Sequence, residues 1–236
     1  MRFSAASVLF GVATVSIVAQ APAQAAEFYT IQSGVTSLSV EPSVLTALSS
    51  VGLTFSGAFD TVAPASGFGL GFSIVPPSSD PAVLGSSFLF SYDQPTNTFG
   101  NFSGTIEHSG GLRFAVDESR LSLLSPLELG NFAIGFDDGF KLSDNLTVGG
   151  LVLFDLIPTA APTLNGSNFA VTTSVRVSSA FNDLLTNSAG TDLGLTGTVI
   201  GTAQINAQAV PEPATMLGLM AGGAFLAANR RRKSSR

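Results

Sequence analysis

The chain has no cysteine and no tryptophan, and His108 is its single histidine. Without cysteine there is no disulfide framework, no thiolate nucleophile and no sulfur-ligated metal. One imidazole cannot build a multi-histidine zinc site, and a Ser-His-Asp triad would have to run through His108. No G-x-S-x-G elbow stands between a strand and a helix. Charge is scarce too, at 11% of residues. Residues 26–210 hold four basic side chains (Arg113, Arg120, Lys141, Arg176) against fifteen acidic ones. An acidic body repels phosphates, which excludes nucleic acid as a partner and disfavours an anionic membrane face. No nucleophile-base pair is legible, so the sequence predicts a protein that is not an enzyme.

What the chain does have is apolar material, at 45% of its 236 residues, with 25 glycines and 19 phenylalanines. That is enough for a core, and it is unevenly placed at the two ends. Residues 1–25 read as a signal peptide. Arg2 is the basic start, Val8 to Ala19 the apolar run, and Ala23 and Ala25 the small-x-small step that places cleavage before Ala26. The run is too short for a bilayer-spanning helix. Signal peptidase is the implied partner.

Residues 210–236 form a second tripartite element. Pro211, Glu212 and Pro213 open it, an apolar run from Ala214 to Ala228 follows, and Arg230, Arg231, Arg232 and Lys233 close it. The physics is that of a stop-transfer segment: a short transmembrane helix whose basic end stays cytoplasmic. This order of triplet, short apolar segment and arginine-rich end resembles the PEP-CTERM sorting signal. The resemblance implies an exosortase as processing enzyme, a membrane-anchored intermediate, and a final place at the cell surface or outside the cell. It also implies bacteria that make exopolysaccharide, with that layer as a partner.

Between the ends, residues 26–209 read as one all-β domain, an antiparallel β-sandwich or barrel-like fold. Short apolar runs alternate with turn chemistry such as VPPSSDP (75–81), DQPTN (93–97) and TLNGS (163–167). The predicted strands are Ser37–Val40, Gly52–Phe59, Gly67–Ile74, Ser86–Tyr92, Gly104–His108, Gly111–Val116, Phe132–Phe136, Leu146–Phe154, Ala170–Ser178 and Thr196–Gln208. In FAVTTSVRV (169–177), Val171, Val175 and Val177 share one alternation while Thr172, Ser174 and Arg176 share the other, as in a sheet with one buried face. Two helices are predicted, at Glu41–Ser50 and Ala180–Asn187. The phenylalanines, many beside glycine, are read as core filling.

Chemistry is thin. The carboxylate pairs Asp117–Glu118 and Asp137–Asp138 read as solvated loops. DDG (137–139) and SDN (143–145) could offer oxygens to calcium but lack EF-hand spacing, so no metal site and no cofactor is assigned. Asn101 and Asn145 open N-x-S/T triplets, which arise often by chance. His108 lies in GTIEHSGGLRF (104–114), between two predicted strands. This piece is similar to the G-x-I-x-H-x-G-G-L-x-F signature of HtaA-type domains of bacterial haem-uptake proteins. The resemblance implies a β-rich fold and a haem site in which a tyrosine binds iron and His108 hydrogen-bonds to it, with Gly110 and Gly111 shaping the turn. The tyrosine would be Tyr29 or Tyr92, the only two present, and Tyr92 is the candidate paired with His108.

The expectation is therefore an exported surface or matrix protein with a structural or interaction role in the exopolysaccharide layer. The alternative is an extracellular module that binds haem, calcium or a glycan.

Overall fold

The structure, a computed structural model, describes residues 26–212. The predicted signal peptide and C-terminal transmembrane helix lie outside the described residues, within which no helix is long and apolar enough to cross a membrane.

The described chain is all-β with two short helices. Its strands are β1 (Glu27–Val40), β2 (Leu53–Phe59), β3 (Leu70–Ser73), β4 (Leu89–Asp93), β5 (Thr98–Ser103), β6 (Thr105–Glu107), β7 (Gly111–Val116), β8 (Leu127–Gly130), β9 (Ala133–Gly135), β10 (Lys141–Asp144), β11 (Leu151–Pro158), β12 (Thr163–Asn165), β13 (Asn168–Val177) and β14 (Val199–Pro211). Helix α1 (Pro42–Ser50) follows β1, and α2 (Ser179–Ala189) follows β13. Each pair of paired strands is antiparallel. The main sheet has 11 strands in the path β5-β4-β1-β14-β13-β11-β10-β9-β6, with β3 added on β1 and β12 on β13, and β2-β7-β8 form a second, 3-stranded sheet.

The main sheet curls back on itself. Strand β1 has β14 along one edge, while β4 and β3 share the other edge end to end. Ile74, just past β3, forms an antiparallel bridge with His108, just past β6. Val75 N–H donates to Glu107 O at 2.7 Å and Ser109 N–H to Ser73 O at 3.0 Å, stitching the same seam. The path β1-β14-β13-β11-β10-β9-β6 thus returns through β3 to β1. This is the barrel-like alternative of the expected fold, closed at one narrow seam. A barrel of about eight strands leaves an interior that side chains can fill, and here they do.

The alternation in β13 explains its place. Phe169, Val171, Val175 and Val177 are buried, and Arg176 on the other alternation is exposed. Helix α2 is well specified. The Ser178 hydroxyl accepts from Phe181 N–H at 3.0 Å, and Gly190 ends the helix at φ 69°, a left-handed cap that favours glycine. Phe181 and Leu185 enter the core. Helix α1 is weakly specified. Pro42 sets its first turn, but no side chain caps it and none of its residues is buried.

Strands β5, β8, β10 and β12 have no counterpart among the predicted strands, β12 lying in the segment TLNGS that the sequence predicts as a turn, and the start of β1 also differs. Strand β1 begins at Glu27, ten residues before the predicted Ser37. Its first ten residues, EFYTIQSGVT, mix polar and apolar side chains, and Gly34 interrupts them. Pairing with β14 over nearly its whole length, and with β4 and β3 on the other edge, makes it a strand. The last strand also runs to Pro211, past the expected domain limit at 209.

Candidate functional site

The seam of the barrel places His108 deep inside, with 1% of its surface exposed. Two glycines bring its loop into position. Gly110 has φ 87°, and a Cβ there would lie 2.5 Å from Asp60 O and 2.7 Å from Phe59 O. A Cβ on Gly111 would lie 2.6 Å from the Phe59 ring. The two glycines let the chain pass tightly against the end of β2 as it enters β7. The imidazole Nδ1 lies 3.0 Å from Phe132 O and Nε2 lies 2.7 Å from Thr36 Oγ1. A carbonyl can only accept, so Nδ1 carries the proton, Nε2 accepts, and the Thr36 hydroxyl donates. Burial pushes the histidine pKa down to about 4, so the ring is neutral and both of its nitrogens are satisfied.

The hydroxyl beside His108 is therefore a threonine, and the expected tyrosine-histidine pair does not form. Tyr92 O–H donates to Asn97 Oδ1 at 2.8 Å, and Tyr29 O–H donates to Glu27 Oε2 at 2.8 Å. The cause is register. Tyr29 sits seven positions before Thr36 on β1 and Tyr92 pairs with Glu27, so both phenols lie roughly 20 Å or more along the strand from the imidazole. Burial and the Glu27 carboxylate push the Tyr29 pKa up to about 12, which holds the phenol protonated. The space beside His108, lined by Thr36, Phe72, Phe132 and Leu142 among others, is about 20 Å³, room for about one water.

The acidic loops are also occupied. Asp144 is fully buried, and its carboxylate accepts from Gly130 N–H at 2.6 Å, Thr147 N–H at 2.9 Å and Val148 N–H at 2.7 Å. It pins the loop after β10 to β8, and its oxygens are committed to amides. Asp138 pairs with Lys141 at 2.6 Å on the surface, and Asp117 holds the Ser119 hydroxyl at 2.6 Å. Among the described residues no three carboxylate or histidine groups gather as a metal site.

The space for a ligand lies elsewhere, in a cavity of about 280 Å³ between the two sheets. Leu38, Val40 and Leu70 line it from the main sheet, Phe55, Phe114 and Leu127 from the second sheet, and Val44, Leu45 and Leu48 from α1. Ser39 is the one hydroxyl residue among the lining, on the opposite alternation of β1 from Leu38 and Val40, and no charged residue, histidine or tyrosine lines it. The spacing of Val44, Leu45 and Leu48 is a helix stripe visible in the sequence. What the sequence hides is that the core beneath this stripe contains a void.

The described ends of the chain lie together, away from this cavity. Tyr29 stands opposite Pro211, Glu212 N–H donates to Phe28 O at 2.8 Å, and Val40 at the other end of β1 stands opposite Gly201. Nine strand positions separate Tyr29 from Leu38 in the cavity wall, roughly 30 Å along β1.

At that exit the sorting element begins. The PEP-CTERM protein-sorting motif matches residues 209–233. It implies export through a membrane-anchored intermediate to the cell surface, with an exosortase as the processing enzyme. No curated protein matches the chain. Two solved chains match it. One is the C-terminal domain of HtaA from Corynebacterium glutamicum, 14% identical, covering 79% of this chain and 100% of that chain, with a TM-score of 0.49.

Proposed function

We propose that the protein is an exported binding module, sorted by its C-terminal tail, that holds a small apolar ligand between its two sheets at the cell exterior. The observation that carries the reading is the cavity of about 280 Å³ with an almost wholly apolar lining. Close packing is the rule in protein interiors, and a void of this size approaches that of ligand pockets, about 300 Å³ and upward. The exit of the chain at Pro211, at the far end of β1, would turn the cavity away from the membrane during anchoring.

A purely structural role in the exopolysaccharide layer finds less support in the domain. Sugar-binding faces set aromatic rings toward solvent, whereas among the described phenylalanines only Phe28 is exposed. A haem site built on Tyr92 and His108 finds no support in the geometry, since neither group reaches the other.

The test is native mass spectrometry of the protein recovered from the outside of its host's cells. A chain running from Ala26 to about Pro211, with the added mass of a small molecule, is the expected result. A full-length chain found only in membranes overturns the sorting, and a processed chain with nothing bound overturns the binding role.

A further inference from the structure

We infer that the ligand of this cavity is a single unbranched aliphatic chain of about ten to twelve carbons, which enters beneath α1 and leaves its polar head outside. The inference rests on the binding-module reading and names the class of ligand.

Volume sets the length. An apolar cavity of about 150 Å³ accommodates a benzene molecule, so about 280 Å³ takes roughly twice as many carbons. A porphyrin macrocycle is too large. Chemistry sets the class. Lining residues such as Leu38, Leu53, Leu112, Leu153 and Ile200 offer methyl and methylene contacts, and Phe55, Phe114, Phe154 and Phe181 add apolar ring surface. No residue of the lining can ligate iron, and no cation is there to neutralise a carboxylate. A charged or hydroxylated ligand would lose its hydration without replacement. The head group therefore stays at the mouth beside α1, where Thr46, Ser49 and Thr54 line the open surface.

Helix α1 provides the way in. Its 9 residues include none that is buried, and its first turn has no side-chain cap. Val44, Leu45 and Leu48 are half-buried and face the cavity. A helix this short is marginal in water without tertiary packing, and here the packing is partial, since Val44 and Leu48 touch the core but also border the cavity. An alkyl chain fills the void and supplies the missing contacts.

The test uses residues 26–212. The first and last strands pair within the main sheet and one continuous core spans both sheets and α2, so the segment is a folding unit in itself. Primary alcohols from hexanol to tetradecanol are titrated by calorimetry, with protoporphyrin as comparator. Affinity is expected to rise about fourfold per methylene up to about ten to twelve carbons and then level off. Val44→Phe with Leu48→Phe, which fills the mouth from the half-exposed helix, is expected to weaken decanol binding at least tenfold while the circular dichroism stays native. If that variant unfolds, the chain-length series on the unchanged protein decides alone. Absence of binding by every alcohol, or affinity independent of length, overturns the inference. A different molecule found in the host-derived protein, such as a porphyrin, overturns the ligand class and leaves the binding module standing.

Discussion

The Thr36 hydroxyl stands 2.7 Å from Nε2 of His108, joining β1 to the barrel seam across 72 residues of sequence. The bond exists because Phe132 O accepts from Nδ1–H and so keeps the proton on that nitrogen, which leaves Nε2 as an acceptor in need of a donor. The consequence is a pH dependence of stability. Burial lowers the folded pKa from 6.5 to about 4. Between those values the unfolded chain binds a proton that the folded chain refuses. The contribution is whole above about pH 6.5 and is lost as pH falls toward about 4, at about 1.4 kcal/mol per pH unit. That amounts to about 3 kcal/mol. Glu107, whose carboxyl burial raises, acts in the opposite sense, so the comparison is made in a Glu107→Gln background. Urea unfolding from about pH 4 to about pH 7 should show the slope, and His108→Phe should flatten it. An unchanged slope would mean that His108 is not the group responsible. Thr36→Val leaves Nε2 unpaired and should cost about 1–3 kcal/mol at neutral pH.

Asp144 gives the second prediction. Its carboxylate serves three amide donors in a fully buried place. Asp144→Asn turns one acceptor into a donor that faces other donors, and should destabilise by about 3 kcal/mol. Calcium and chelator should have no effect on the melting temperature of the parent protein, because the oxygens are already spoken for. A calcium-dependent rise in melting temperature would reopen the loop as a metal site.

The all-β class was legible from strand-length runs and turn residues. So was the burial pattern of β13, since alternation depends on residues two apart. Both helices were legible because Pro42 and the apolar positions of α2 are local signals. The first ten residues of β1 were not, because their strand character comes from β14, at the other end of the chain, and from β4 and β3. The partner of His108 was not legible for the same reason. GTIEHSGGLRF marks a tight seam, but which hydroxyl meets the imidazole depends on the register of β3 on β1, where Phe72 stands opposite Thr36. Local sequence carries turns and faces. It does not carry register, and a void between two sheets is a property of their spacing that no single segment encodes.

Seven of the phenylalanines form one aromatic cluster, Phe88, Phe90, Phe99, Phe102, Phe136, Phe140 and Phe169, and Phe88 touches four of the others. The Phe88 ring lies 4.2 Å from that of Phe136, 5.6 Å from Phe90 and 5.8 Å from Phe169, between centroids. These rings come from separate strands of the main sheet or the chain next to them, so Phe88 ties the wall together. It is 1% exposed. Phe88→Ala should cost about 3–5 kcal/mol through lost burial and the cavity left behind. A denaturant midpoint within error of the parent's would mean that the wall collapses to fill the space.

The last prediction concerns the point where fold and sorting meet. Pro211 pairs with Tyr29 at the end of β14, and Glu212 N–H is held by Phe28 O at 2.8 Å. The first two residues of the sorting triplet therefore belong to the domain's sheet. A processing enzyme needs its substrate backbone free to enter a cleft, so the end of β14 must detach before Pro211 and Glu212 can be engaged. Strand ends fray at little cost, but the cost is not zero, and it is removed when the triplet is moved away. Inserting a four-residue Gly-Ser linker between Val210 and Pro211 should preserve the fold and speed loss of the C-terminal tail in a host that carries an exosortase. Replacing Pro211, Glu212 and Pro213 with alanine should leave the chain at full length in the membrane fraction. Pulse-chase labelling followed by mass measurement distinguishes the outcomes. A linker variant processed no faster than the parent would mean that sheet pairing does not limit the cut. An alanine variant processed normally would mean that the triplet is not what the enzyme reads.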